Sequence, residues 1–186
     1  ESRSTGDNQK WYLEPVDEAN FYFRYMFTNA NENSYITLGS GYKMYRETLN
    51  DWHYAIDITG KTSFIRGTPI FSPTSGTVIY SQHNPESGNY VVIETDKCVK
   101  GTGKKVILTF AHMIEKSPLE VGQRVLPKKF IGYVGSTGNS SGDHLHHAVF
   151  KSPPGSNTIY ESQINCINPQ RFYPNVPFAG ETSTAP

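Results

Sequence analysis

Thr77-Val-Ile-Tyr-Ser81 and Tyr90-Val-Val-Ile-Glu94 are short runs of β-branched and aromatic residues, separated by Asn84-Pro-Glu-Ser-Gly88. Asn, Pro, Ser and Gly each favour turns for their own steric or hydrogen-bonding reason, so the stretch reads as an antiparallel hairpin. The same pattern extends both ways. Upstream, residues 53–58 and 69–71 read as strands. Downstream, Lys105-Val-Ile-Leu-Thr-Phe-Ala111 reads as an alternating strand ending at His112. Phe130-Ile-Gly-Tyr-Val134 then runs into a Gly/Ser-rich loop, and His144-Leu-His-His-Ala-Val-Phe150 closes the series. No long amphipathic helix is apparent. The fold class this predicts is all-β, a compact antiparallel β-sheet domain.

The chain has 186 residues, enough for one domain with a sizeable core. Its 12 Tyr, 10 Phe, 16 Gly and 12 Pro suit strands broken by turns. Lys+Arg and Asp+Glu both total 17, and no basic run is present that would track a phosphate backbone, so a nucleic-acid partner is not expected. No apolar stretch reaches the length of a membrane span, and the first residues lack a signal-peptide core. The chain therefore reads as cytosolic or as a mature or trimmed form of something longer, and the absence of an initiator Met favours the latter. A monomer is expected.

The outer segments carry less information. Phe21, Phe23, Tyr25 and Phe27 would share one face of a strand, residues 29–33 read as a turn, and residues 35–38 as a short strand. We divide the chain into an N-terminal segment 1–38 packing on or near the core, a domain 39–178, and a flexible tail 179–186. Residues 151–163 read as an extended loop. The two cysteines, Cys98 and Cys166, are either two unrelated thiols or a bridge. A bridge would close a long loop and stabilise by about 4 kcal/mol in the chain-entropy treatment.

The chemistry lies in the six histidines. Residues two or four apart on a strand face the same way. In His53-Tyr-Ala-Ile-Asp57 an imidazole and a carboxylate would share a face, and in His144-Leu-His146 two imidazoles would. His147 would point to the opposite face and is excluded from the cluster. Two imidazoles and one carboxylate suit Zn²⁺, and three protein ligands leave a fourth position for water, as in a catalytic site. Neither pair is specific alone; a polar face on a half-buried sheet also explains each. Both together, in one small domain with His112 at another strand end, are more telling. His83, beside Asn84-Pro85, reads as a surface residue in a turn. Trp11, Trp52 and the Tyr/Phe stripe read as core or groove wall.

Across residues 39–150 the chain resembles the lysostaphin-like (LytM-type) zinc endopeptidases. Gly41-Tyr-Lys-Met-Tyr-Arg46 resembles the family's lead-in to its first metal strand, and Asp51-Trp-His-Tyr-Ala-Ile-Asp57 its His-x₃-Asp strand. Gly67-Thr-Pro-Ile70, Ser75-Gly-Thr-Val78, Gly88-Asn-Tyr-Val91 and Phe110-Ala-His112 follow in the family's order. So do Val121-Gly-Gln-Arg-Val125, Gly135-Ser-Thr-Gly138 and Ser141-Gly-Asp-His-Leu-His146. The resemblance implies a narrow groove over a zinc site with His53, Asp57 and His146 as ligands. It implies His112 and His144 as the two non-ligand histidines that assist catalysis. It implies a peptidoglycan peptide substrate cut in stems or cross-bridges, and action outside the cytoplasm, secreted, wall-associated or as part of a longer membrane-bound protein. Three positions depart from the family: His147 replaces a common aromatic, Phe110 a frequent Tyr, and Met113 a frequent Leu.

Two other readings compete with this one. Gly138-Asn-Ser140-Ser-Gly142 satisfies the G-x-S-x-G pattern of serine hydrolases, but that elbow needs a strand before it and a helix after it. The alternative from another class is a non-catalytic scaffold that binds cell wall or a partner protein; such relatives lose a ligand or catalytic histidine, and none is lost here.

Overall fold

In this computed structural model, residues 26–27, 37–46, 50–59, 66–99, 101–153 and 165–173 are described, save the side chains of 37–40 and 44. Twelve strands are found among them: β1 (Thr37–Ser40), β2 (Met44–Arg46), β3 (Asp51–His53), β4 (Ile56–Thr59), β5 (Pro69–Phe71) and β6 (Gly76–Asn84). They continue with β7 (Gly88–Cys98), β8 (Lys105–Met113), β9 (Arg124–Val125), β10 (Phe130–Tyr133), β11 (Leu145–Ser152) and β12 (Cys166–Ile167). A 3₁₀ turn, Pro169–Phe172, is capped by the Asn168 side chain, which accepts from the Gln170 amide. Among the described residues there is no α-helix and none long and apolar enough to cross a membrane. The all-β expectation holds.

The main sheet runs β1-β4-β11-β8-β7-β6-β9, with β12 also pairing β11. Every pairing among its described strands is antiparallel. β10–β5 and β2–β3 form two separate ribbons. The β6–β7 hairpin turns at residues 85–87, where the Asn84 side chain accepts from the amides of Glu86 and Ser87. Gly88 follows with φ +62°, and a Cβ there would collide with Thr137, so only glycine serves.

Three expectations need correction. The run 53–58 is two strands rather than one: β3 ends at His53, Tyr54 and Ala55 make the step, and β4 begins at Ile56. Each then finds a different partner, β3 pairing β2 while β4 lies between β1 and β11. β8 does not alternate. From Val106 to Met113 it is buried throughout, because a central strand covered on both faces has no wet side. Burial of its aliphatic and aromatic side chains is worth roughly 1.5–3 kcal/mol each, which makes β8 a principal anchor of the core. His83 belongs to β6 and not to the turn, although it is exposed as expected.

No disulfide joins Cys98, exposed at the end of β7, to Cys166, buried in β12. Of the proposed strand 21–27 only Met26 and Phe27 are described; both are buried outside any strand, and the Met26 carbonyl accepts from the Phe71 amide at 2.8 Å. Most of the segment 1–38 and all of 179–186 lie outside the described residues, as do the turn at 29–33 and most of the loop expected at 151–163.

Candidate metal centre

β4 and β11 lie side by side with Asp57 directly opposite His146. Directly opposed residues on an antiparallel pair bring their side chains together. His146 Nδ1 lies 2.9 Å from Asp57 Oδ1. His53 arrives from the end of the β2–β3 ribbon, and its Nε2 lies 3.2 Å from both His146 Nδ1 and Asp57 Oδ1. Thus the chain step at Tyr54–Ala55, and not a continuous strand, carries the first imidazole round to the carboxylate. His53 is 1% exposed, whereas Asp57 and His146 are each 14% exposed, so the cluster is closed behind His53 and open to solvent on its other side.

These three atoms fit a metal better than they fit one another. His53 Nδ1–H donates to the Gly41 carbonyl, which leaves its Nε2 as an acceptor. Asp57 is held well below the usual carboxylate range. Burial alone would raise it, but the His146 hydrogen bond and the closeness of the His53 and His146 imidazoles more than offset that. Two acceptors therefore meet at His146 Nδ1, which can offer a proton to only one of them. A cation removes the conflict. With bonds of roughly 2.05 Å, the edge of a tetrahedral zinc site is about 3.3 Å, close to the observed spacing. The three ligand atoms all lie within 4.8 Å of one another, and among the described residues this is the group that could hold an ion.

His112 and His144 stand beside this group. Their ring centroids are 4.7 Å apart, His112 lies 5.7 Å from the His146 ring, and His144 Nε2 is 3.6 Å from Asp57 Oδ1. Each ring is oriented by a main-chain acceptor. His112 Nδ1–H donates to the Thr137 carbonyl at 2.8 Å, and His144 Nδ1–H to the Gly142 carbonyl at 2.8 Å. In its neutral form, each ring so held keeps Nε2 as a proton acceptor. Burial, the largest cause, with the nearby His144 and His146, pushes His112 down to about 4, against the raising effect of the Thr137 bond. His112 is therefore neutral near pH 7.

The backbone makes this possible at a price in strain. β7 and β8 pair Asn89 with Met113 and Val91 with Phe110, so Ala111 and His112 oppose Tyr90 alone. His112 takes φ +63°, a region a non-glycine residue seldom occupies. Such a bulge re-aims a side chain out of the strand's normal alternation. Thr137 secures it: its Oγ1 donates to the Met113 carbonyl at 2.7 Å and accepts from the Asn89 amide at 2.9 Å. Sequence reasoning missed Thr137 and Gly142, because a carbonyl acceptor is present at every residue and leaves no mark in residue type.

His147 faces away, as the alternation of β11 requires. It is buried, stacks on Phe110 at 4.9 Å, and donates from Nδ1 to the Thr109 carbonyl at 2.9 Å. Tyr173 O–H donates to its Nε2 at 3.0 Å. The departure from the family's usual aromatic is thus a ring of similar shape with both nitrogens used. Ser140 makes no elbow. Residues 136–143 are bends and irregular backbone leading into β11, and Ser140 Oγ donates to the Gly142 carbonyl at 2.8 Å. His144 Nδ1, 3.4 Å from that oxygen, already carries a proton and cannot take another.

Comparison with known proteins bears on the family and the fold. Residues 51–160 match Peptidase family M23. The chain is 33% identical over 83 residues to the peptidoglycan DD-endopeptidase ShyA of Vibrio cholerae, covering 45% of this chain and 17% of that protein's length. Among solved structures it resembles a zinc-containing peptidase from Vibrio cholerae, with TM-score 0.55 and 26% identity, over 71% of this chain and 37% of that one. The catalytic domain of lysostaphin from Staphylococcus simulans shares the fold, with TM-score 0.61 and 24% identity, over 78% of this chain and 97% of that one.

Proposed function

Because the chain belongs to Peptidase family M23, we propose that it is a zinc-dependent endopeptidase that hydrolyses peptide bonds in the stems or cross-bridges of peptidoglycan. The observation that carries this is the meeting of three candidate ligand atoms 2.9–3.2 Å apart with two further histidines alongside. In this reading His53 Nε2, Asp57 Oδ1 and His146 Nδ1 hold the zinc. Zinc there supplies Lewis-acid polarisation of a carbonyl and a lowered pKa for water.

The remaining work falls to His112 and His144. One of the pair accepts a proton at Nε2 as water attacks the scissile carbonyl, which general-base catalysis rewards by about 10²–10⁴-fold. Once protonated, that Nε2–H donates to the developing oxyanion and then returns the proton to the leaving amine. The carbonyls of Thr137 and Gly142 hold the two rings in the tautomer this needs. Asp57, opposite His146, would offset one of the ion's two charges and leave the ligand group net positive, which favours a lowered pKa for water there. All five groups come from one chain, so a monomer carries a complete site, and a peptidoglycan substrate supports action outside the cytoplasm.

The test is incubation with purified peptidoglycan and detection of new amino groups. Release is expected, and its loss on chelation and in His112→Ala or His144→Ala. Bound zinc without cleavage of walls of several cross-link types would replace the peptidase reading with a binding scaffold.

A further inference from the structure

Among the described residues three arginines pair with aspartates, and one pairing differs from the others. Arg46 reaches Asp51 through Nε and NH2 at 2.8 and 2.6 Å. Arg124 reaches Asp96 through NH1 and NH2, both at 2.6 Å. Each of these is a fork-to-fork pair in which both carboxylate oxygens are used. Arg66 instead contacts Asp143 through NH1 alone, at 2.8 Å. Its side chain is 55% exposed while Asp143 is 14% exposed.

The place of this pair matters as much as its form. Asp143 immediately precedes His144. Gly67, next to Arg66, donates its amide to the Val134 carbonyl at 2.8 Å, and the His144 amide donates to the Gly135 carbonyl at 3.1 Å. Arg66 is therefore tied by backbone and by side chain to the segment that presents His144. A guanidinium offers five N–H donors in a planar fork that matches a carboxylate. Here the fork is oriented by one bond to a mostly buried aspartate, the residue before His144, and its exposure leaves donors for a second carboxylate.

We propose that Arg66 binds a carboxylate of the substrate and that Asp143 positions it, so that the protein selects peptides with a free carboxylate near the scissile bond. This rests on the peptidase reading above. The carboxylate is either a chain-terminal α-carboxylate or an acidic side chain; the chemistry at Arg66 is the same. Asp143 offsets part of the guanidinium charge and the pair is partly in water, so the preference is about fivefold rather than hundreds.

The experiment uses zinc-loaded full-length protein and two matched pairs of short cell-wall-type peptides. One pair differs in a free or amidated C-terminus, the other in a free or amidated acidic side chain. For wild type, kcat/KM should favour the free acid of one pair by about fivefold, expressed in KM and weakened by added salt. In Arg66→Gln that ratio should collapse toward one, while Arg66→Lys, a point charge without the fork, should keep part of it. The pair that responds tells which carboxylate is read. An unchanged ratio in Arg66→Gln, or no wild-type preference in either pair, overturns the proposal. Calorimetric binding of the same peptides separates the two readings. If wild type cuts none of them the peptidase reading is lost, yet the ratio of acid to amide Kd, and its response to Arg66→Gln, still decides the role of Arg66.

Discussion

His146 and His147 are consecutive residues of β11 with the same side chain and opposite fates. His147 looks into the core, where a carbonyl accepts from one nitrogen and a phenol donates to the other. Its hydrogen-bond demand is complete within the protein. His146 looks out between Asp57 and His53, where acceptors outnumber protons. What distinguishes a candidate ligand from a structural histidine is thus neither residue type nor burial alone. It is whether the surrounding donors and acceptors balance without an ion.

The largest expected effect tests that difference directly. His146→Ala should remove a ligand atom and abolish both stoichiometric zinc and peptidoglycan cleavage. His147→Ala should leave the zinc content near one per chain but strand the Thr109 carbonyl and the Tyr173 hydroxyl around a cavity. The expected loss is about 3 kcal/mol of stability by chemical denaturation. If His147→Ala lost zinc while remaining folded, or His146→Ala kept it, the distinction would fail. Metal removal should follow the same logic. Chelation should lower the melting temperature of wild type more than that of His146→Ala, because a metal held only by the folded chain stabilises it by mass action.

His147→Phe sharpens the comparison at smaller scale. Phe restores the shape that stacks on Phe110 but offers nothing to the Thr109 carbonyl or to Tyr173. About 1–3 kcal/mol should be lost, with zinc retained. A neutral outcome would show that packing, and not the two hydrogen bonds, decides this position.

These two histidines also mark what the sequence could disclose. Alternation along β11 separated them before any coordinates, since period two is the one certainty of a strand. The hairpin about residues 85–87 and the strand runs around it were equally legible from turn formers and β-branched residues. The mechanism that brings His53 to Asp57 was not. A spacing of four suggested one continuous strand, while the chain breaks at Tyr54–Ala55 and gives its halves to different sheets. Both arrangements put the groups together, so the right candidates followed from the wrong geometry. The burial of β8 on both faces was hidden because a central strand is defined by what later packs on it. The positive φ of His112 was hidden because it depends on a register shift against β7.

That register shift gives the next effect in size. Thr137→Val keeps the side-chain shape but cannot donate to the Met113 carbonyl or accept from the Asn89 amide. The loop carrying the carbonyl partner of His112 should loosen, lowering kcat by up to about 100-fold through misorientation, with zinc retained and KM little changed. Thr137→Ser should restore most of the rate, because the hydroxyl and not the methyl makes both bonds. Equal losses in Ser and Val would assign the effect to packing instead.

The smallest expected effect concerns Ser140, four residues before His144. Its hydroxyl bonds the Gly142 carbonyl and lies 2.9 Å from the Ser136 hydroxyl, all within one exposed loop. The Gly142 carbonyl still has His144 Nδ1–H when that hydroxyl is removed. Ser140→Ala should therefore change stability by no more than about 0.5 kcal/mol and cleavage by no more than about threefold. A loss of cleavage greater than a hundredfold with zinc still bound would mean that Ser140 takes part in the chemistry. His144 Nδ1 would then have to surrender its proton to some other partner, and the assignment of His144 Nε2 as a proton acceptor beside Asp57 would fall with it.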